Sequence, residues 1–226
     1  MAHRKYSNLL LPFFVALCLC ARRFFVFSGL ALAASSASAD QPGQFDYYIL
    51  SLSWSPQYCA SSNRGGYEAQ CARPYGFVAH GLWPQNERGY PRDCRSDERV
   101  GDDTIARMLP LMPSRGLIIH EWHTHGACSG LGAEVYFSTV ERAYRSVRIP
   151  DAYRSLDHYL TVDPQQLKRD FVGANPGLRE SGLAVECSGH YLQEVRVCLT
   201  RELGPRACGA DVEDRCGDTA VLRPVR

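Results

Sequence analysis

The chain has 226 residues and sets 25 Lys and Arg against 24 Asp and Glu, a formal net charge of +1. That balance excludes a protein that holds a polyanion by bulk electrostatics, which would be strongly basic. Four of the basic residues, Arg4, Lys5, Arg22 and Arg23, fall in the first 39 positions, so the remaining 187 residues carry 21 Lys and Arg against 24 Asp and Glu, a net charge of −3 with neutral histidines.

In chain order, those four basic residues flank two apolar runs, Leu9 to Cys20 and Phe24 to Ala34, and the second run leads to Ala37-Ser38-Ala39, a small-residue cleavage pattern. This reads as a signal peptide spanning 1–39, with the mature chain starting at Asp40. Neither run reaches the roughly 20 apolar residues of a spanning helix, so the mature form is expected to have no membrane contact. Residues 40–226 fit a single domain and show no repeat or linker. After the leader there are eight cysteines, Cys59, Cys71, Cys94, Cys128, Cys187, Cys198, Cys208 and Cys216. In an exported chain they imply up to four disulfides and an oxidising compartment. The absence of an Asn-x-Ser/Thr sequon favours a bacterial periplasm, so the expected location is periplasmic or secreted.

Phe45 to Trp54 (FDYYILSLSW) is rich in aromatic and β-branched residues and predicts a strand stopped by Pro56. A Ser/Asn/Gly loop over 61–66 separates Cys59 from Cys71, a spacing that a local disulfide could close. The first half of Phe77 to Tyr90 predicts a core strand that presents His80 and then breaks at Gly81 and Pro84, leaving Trp83 and Tyr90 as an aromatic platform. DDTIARMLPLM after Gly101, AEVYFSTVERAYRSV and DPQQLKRDFV read as helices, and Leu183 to Thr200 as one or two strands. Glu202 to Arg226 reads as a disulfide-pinned loop and a frayed tail, while His158 and His190 read as structural or surface groups.

The densest chemistry lies in Leu117 to Ser129 (LIIHEWHTHGACS), where His120, Glu121, His123 and His125 fall within six consecutive residues. On a helix, residues four apart share a face, so Glu121 lies under His125 and favours its protonated form, an acid/base pair near neutral pH. The zinc-protease pattern fails, because its second ligand position is occupied by Thr124. GACSG also lacks the serine of a hydrolase elbow. No metal or cofactor is expected. Two imidazoles on separate elements, together with aromatic rings that can stack bases, are what RNA cleavage at a 2′-hydroxyl requires.

His80-Gly81-Leu82-Trp83-Pro84 and His120-Glu121-Trp122-x-x-His125-Gly126 resemble the two active-site segments of the ribonuclease T2 family. Trp54, Pro56 and Cys59, and later Cys187 and Cys198 around GHYLQEVRV, are similar to the family pattern as well. The resemblance implies an α+β fold with a central antiparallel sheet and flanking helices. It further implies an endoribonuclease that cleaves single-stranded RNA without metal, through a 2′,3′-cyclic phosphate to a 3′-phosphate, and leaves DNA uncut. In this pattern His125 is the base and His80 the acid, with Glu121 at the phosphate. His120 helps bind phosphate, Trp83 and Tyr90 pack against a base, and Gln85 contacts its edge. The resemblance also suggests a Cys94–Cys128 bond tethering the two motifs, and Cys59–Cys71. For the last four cysteines the expectation is nested, Cys187–Cys216 and Cys198–Cys208, although sequence alone allows three pairings. A monomer is expected.

One departure stands out: where the family commonly has lysine before the second catalytic histidine, this chain has Thr124. His123, an arginine from elsewhere and the Thr124 hydroxyl are the candidates to replace its charge. An RNA-binding protein that kept the fold and lost turnover, and a metal-dependent hydrolase, are the alternatives from other classes.

Overall fold

In a computed structural model the described residues are 40–61 and 69–226. The expected leader lies outside them, as does most of the loop between Cys59 and Cys71. The strands are β1 (Tyr47–Trp54), β2 (Phe77–Gln85), β3 (Leu160–Val162), β4 (Leu183–Ser188), β5 (Tyr191–Leu199) and β6 (Ala220–Leu222). The helices are α1 (Ser55–Ser61), α2 (Asp102–Met108), α3 (Arg115–Thr124), α4 (Ala133–Ser146) and α5 (Pro164–Ala174). One six-stranded sheet runs in the order β2-β1-β5-β6-β3, with β4 on the other side of β5. Its long pairings are antiparallel, as the α+β expectation has it. Parallel contacts are single bridges, Tyr191 to Val221 and Glu186 to Arg215.

Alternation along the strands divides the sheet into two faces. Tyr48, Leu50, Leu52 and Trp54 of β1 join Phe77, Leu82, Val195 and Val197 in the main core, against Trp122, Tyr136, Phe137 and Val140 from α3 and α4. The opposite residues of β1, Tyr47 and Ile49, form a small second cluster with Cys198. On that second face the sheet carries polar groups.

β1 stops at Trp54 ahead of Pro56 as expected, and Pro56 enters the first turn of α1, where its missing N–H costs no helical bond. Three local expectations need correction. β2 does not break at Gly81 but runs on through Pro84 to Gln85. It can do so because β2 is the sheet's edge strand, where a residue without an N–H is tolerated. α2 ends at Met108, two residues short of Pro110. The tail is tied down: β6 joins the sheet, the Trp54 indole N–H donates to the Arg223 carbonyl (3.0 Å), and the Val225 N–H donates to Leu156 (2.7 Å).

Among the described residues four disulfides join Cys59–Cys71, Cys94–Cys128, Cys187–Cys216 and Cys198–Cys208. Of the three pairings open to the last four cysteines, the fold adopts the nested one.

Candidate active site

His80 owes its position to an irregularity in β2. Ser51 of β1 pairs with Gly81 while Leu52 pairs with Ala79, so His80 is an extra residue without a partner in the ladder. Such a bulge re-aims side chains and is enriched beside active sites. Here it puts His80 on the polar face, beside Glu194 of β5.

The second segment is built by α3. Its N-terminus is capped by the Ser114 hydroxyl, which accepts from the Leu117 N–H (3.3 Å). The helix ends at Thr124, and His125 leaves it with φ −127° and ψ −47°. The chain can turn there because Gly126 has no side chain: a Cβ would lie 2.6 Å from the Trp122 ring and 2.7 Å from that of Tyr136. The Tyr136 hydroxyl donates to the Leu82 carbonyl (2.9 Å) and locks α4 to β2.

The exit of His125 from the helix overturns the expected Glu121–His125 pair. Only the backbone links them, His125 N–H donating to the Glu121 carbonyl (3.0 Å). The Glu121 carboxyl, 1 % exposed, faces β2 instead. It accepts from the Trp83 indole N–H (2.7 Å) and lies 3.6 Å from His80 Nε2. Both imidazoles neighbour the same indole, with ring centroids 5.3 Å (His80) and 5.2 Å (His125) from Trp83.

His80, Trp83, Glu121 and His125 therefore converge, while the other anticipated residues are peripheral. His120 is exposed, with both ring nitrogens 3.4 Å from Thr124 Oγ1, and His123 is exposed as well. Tyr90 is 43 % exposed with the Arg92 guanidinium 4.5 Å over its ring. Gln85 is buried at the end of β2 and offers little surface for an edge contact. His158 donates to its neighbour Asp157 (2.7 Å), and His190 lies against Tyr191.

Sequence reasoning missed Glu194 and Arg196. His80 Nδ1–H donates to Glu194 Oε1 at 2.6 Å. Arg196 reaches Glu194 (3.3 Å) and Glu186 (2.7 Å), and its guanidinium lies 5.3 Å from the Trp83 ring centre. The signal was the alternation in YLQEVRV, which puts Glu194 and Arg196 on the face opposite Val195 and Val197.

These contacts drive the protonation states apart. Burial lowers His125 to about 4, assisted by the charges of His80 and His120. Burial also opposes the charge on His80, but Glu194 and Glu121 outweigh it and raise His80 above the usual imidazole value. Glu194 is held down at about 2 against its own burial, by His80 and Arg196. Burial pushes Glu121 up to about 7, with His80 and Trp83 pulling the other way. The site thus presents a neutral imidazole and a cationic one, a base and an acid side by side. Among the described residues no three of His, Cys, Asp and Glu are grouped to hold a metal ion.

Comparison with known proteins supplies the relatives. A sequence model of the ribonuclease T2 family matches residues 45–208. A ribonuclease of Aeromonas hydrophila is 35% identical over 221 residues, covering 91% of this chain and 100% of its own length. Among solved structures, an RNase-related protein from Calystegia sepium has a TM-score of 0.65 at 20% identity, covering 83% of this chain and 100% of that one. A variant of RNase MC1 of bitter gourd seeds, in complex with 5′-UMP, has a TM-score of 0.61 at 20% identity, covering 78% of this chain and 97% of that one. The match over most of the folded region carries the conclusion that this chain belongs to the ribonuclease T2 family and is an endoribonuclease.

Proposed function

We propose that the chain is an exported, metal-independent endoribonuclease that cleaves single-stranded RNA by transphosphorylation. The observation that carries this reading is the pair of imidazoles beside Trp83, one lowered to about 4 and the other raised. His125, neutral, takes the proton of the ribose 2′-hydroxyl as the oxygen attacks phosphorus. His80, cationic, gives its Nε2 proton to the departing 5′-oxygen. The 2′,3′-cyclic phosphate is then opened by water with the roles exchanged, leaving a 3′-phosphate. Glu121, with a value near 7, lies next to His80 and adjusts charge and proton at the phosphoryl oxygens. His120 helps bind the phosphate. Trp83 and the exposed Tyr90 offer ring surface to a base, and the 5′-UMP complex of RNase MC1 supports a nucleotide site on this fold. DNA lacks the 2′-nucleophile and is not a substrate. Residues 1–39 are the leader, and the mature monomer acts in the periplasm or outside the cell.

The test is RNA cleavage by oxidised protein comprising residues 40–226, in EDTA, from about pH 4 to pH 8. Expected are cyclic-phosphate ends, loss in both His80→Ala and His125→Ala, and a bell-shaped profile. The bell rises through the His125 value of about 4 and falls above the ordinary imidazole value, 6.5, where His80 loses its proton. Cleavage that needs added metal, or that survives both substitutions, sinks the proposal.

A second reading, an RNA-binding protein of reduced turnover, rests on Thr124. A missing donor to the phosphoryl oxygens is worth on the order of 10²- to 10³-fold. Thr124→Lys is therefore expected to raise kcat about tenfold or more. An unchanged kcat means that the charge is already supplied from elsewhere.

A further inference from the structure

Glu194 lies on β5, two strands from His80, with β1 between them. It reaches across β1 at Ser53, its partner in register, whose hydroxyl donates to the same carboxylate oxygen at 3.4 Å. The bulge at His80 brings the ring to meet it. Both carboxylate oxygens are used: Oε1 accepts from His80 Nδ1 and Ser53, and Oε2 from the Arg196 guanidinium, whose Nη1 is anchored in turn on Glu186. The carboxylate is therefore held in place and cannot swing away when the imidazole changes state.

We propose that Glu194 is the positioning residue of His80: by fixing the Nδ1–H it aims Nε2 into the site and sets the tautomer that both halves of the reaction require. This rests on the reading of His80 as the acid. In the first half, the Nε2–H bond breaks and its proton goes to the 5′-oxygen as the phosphorus–5′-oxygen bond breaks. The ring is left neutral with its remaining proton on Nδ1, facing Glu194, and a lone pair on Nε2. In the second half, that lone pair takes a proton from water as the water oxygen bonds to phosphorus. The phosphorus–2′-oxygen bond breaks, and His125 returns its proton to the 2′-oxygen. A neutral imidazole without the carboxylate would divide between two tautomers, and one of them has no lone pair at Nε2.

The groups facing His80 are Glu194 and Arg196 from β5, Glu121 from α3, and His125 just beyond it. Arg196 opposes a positive ring, while His125 is neutral above about 4. Glu121 is itself near its own titration point. Glu194 is thus the anion that does most to raise His80 above the usual imidazole value.

Two measurements test this. In the wild-type protein, without RNA, ¹⁵N NMR of the His80 ring above its titration point should show the proton on Nδ1, against the usual preference of neutral imidazole for Nε2. A proton on Nε2 overturns the proposal. In Glu194→Gln, which keeps shape and loses charge, kcat at neutral pH is expected to fall about 10- to 100-fold and to recover toward wild type near pH 5. KM should be little changed, and the alkaline limb should move down by about one pH unit or more. Glu194→Asp, which keeps the charge, should restore much of that limb. A Glu194→Gln profile with the wild-type alkaline limb overturns the proposal, and so does a loss that is uniform across pH. The NMR result does not depend on turnover: a wild type that binds but does not cleave RNA defeats the functional reading while the tautomer still decides the role of Glu194.

Discussion

At Gly81 the two motifs pass close to each other. A Cβ built there would lie 2.0 Å from Glu121 Oε2 and 2.5 Å from the Trp83 indole nitrogen, so the carboxyl sits directly over the backbone of β2. Overpacking of a tight contact costs about 1–3 kcal/mol, but the larger effect is on position, since Glu121 is wedged between Gly81, Trp83 and His80. Gly81→Ala should move the carboxyl off the indole N–H and lower kcat by about 10²-fold, the usual effect of a misplacement near 1 Å, while the melting temperature falls by only a few degrees. Steady-state kinetics beside a thermal melt separates the two, and a variant with wild-type kcat would show that the Glu121 position is immaterial. The residues missed from sequence are of this kind. Glu194 carries no motif and lies 114 positions from the histidine it holds, so only the strand order β2-β1-β5 reveals it.

The histidine-bearing segments come from different elements, a bulged edge strand and the end of α3, and a covalent tie between their flanks sets their relative position. Cys94, beyond β2, bonds Cys128, three residues after His125, closing a loop with a sequence separation of 34. The segment between them is packed as well as tethered: the Glu98 carbonyl accepts from the Trp122 indole (2.8 Å), and its carboxylate accepts from the first N–H of α4 (2.9 Å). Chain entropy puts the disulfide at about 4 kcal/mol for a loop of this size. Cys94→Ser with Cys128→Ser is thus expected to lower the melting temperature by about 10 °C, and an unchanged melt would mean that packing alone holds the segments. At this scale the sequence was informative where periodicity rules. The helices over 133–146 and 164–174 and the strand pair within 183–199 fall close to their expected places. It misled at Gly81 and Pro84, because whether a strand breaks there depends on lying at the sheet edge, a tertiary fact. It misled again at His125, because one non-helical residue separates it from the helical spacing that paired it with Glu121.

Across the whole molecule, two strongly displaced groups of the site act on stability with opposite sign. Glu121 is raised from 4.5 to about 7, so between those values the folded chain holds a proton that the unfolded chain has released. His125 is lowered from 6.5 to about 4, so over nearly the same range the unfolded chain holds a proton that the folded chain lacks. Stability changes with pH by about 1.4 kcal/mol per unit for each proton of difference, and here the differences cancel. Glu186 is raised by burial as well, so from 4.5 up to its folded value it adds to the Glu121 side. Glu194 and Asp214 are depressed, so their stabilisation is present above the ordinary carboxylate values and is lost as the pH falls through their folded values, about 2 for Glu194. His80 is raised, so its contribution is complete below 6.5 and is lost as the pH climbs through its folded value. The wild-type melting temperature should therefore be nearly flat from about pH 5 to pH 6.5, the range in which the proposed acid and base are both correctly charged. Glu121→Gln removes one arm of the compensation and should make stability rise with pH at up to about 1.4 kcal/mol per unit. His125→Asn removes the other and should make it fall. Denaturant melts of the three proteins at several pH values decide it. Parallel, flat curves for both variants would mean that neither group is displaced in solution, and the acid/base asymmetry of the site would lose its physical basis.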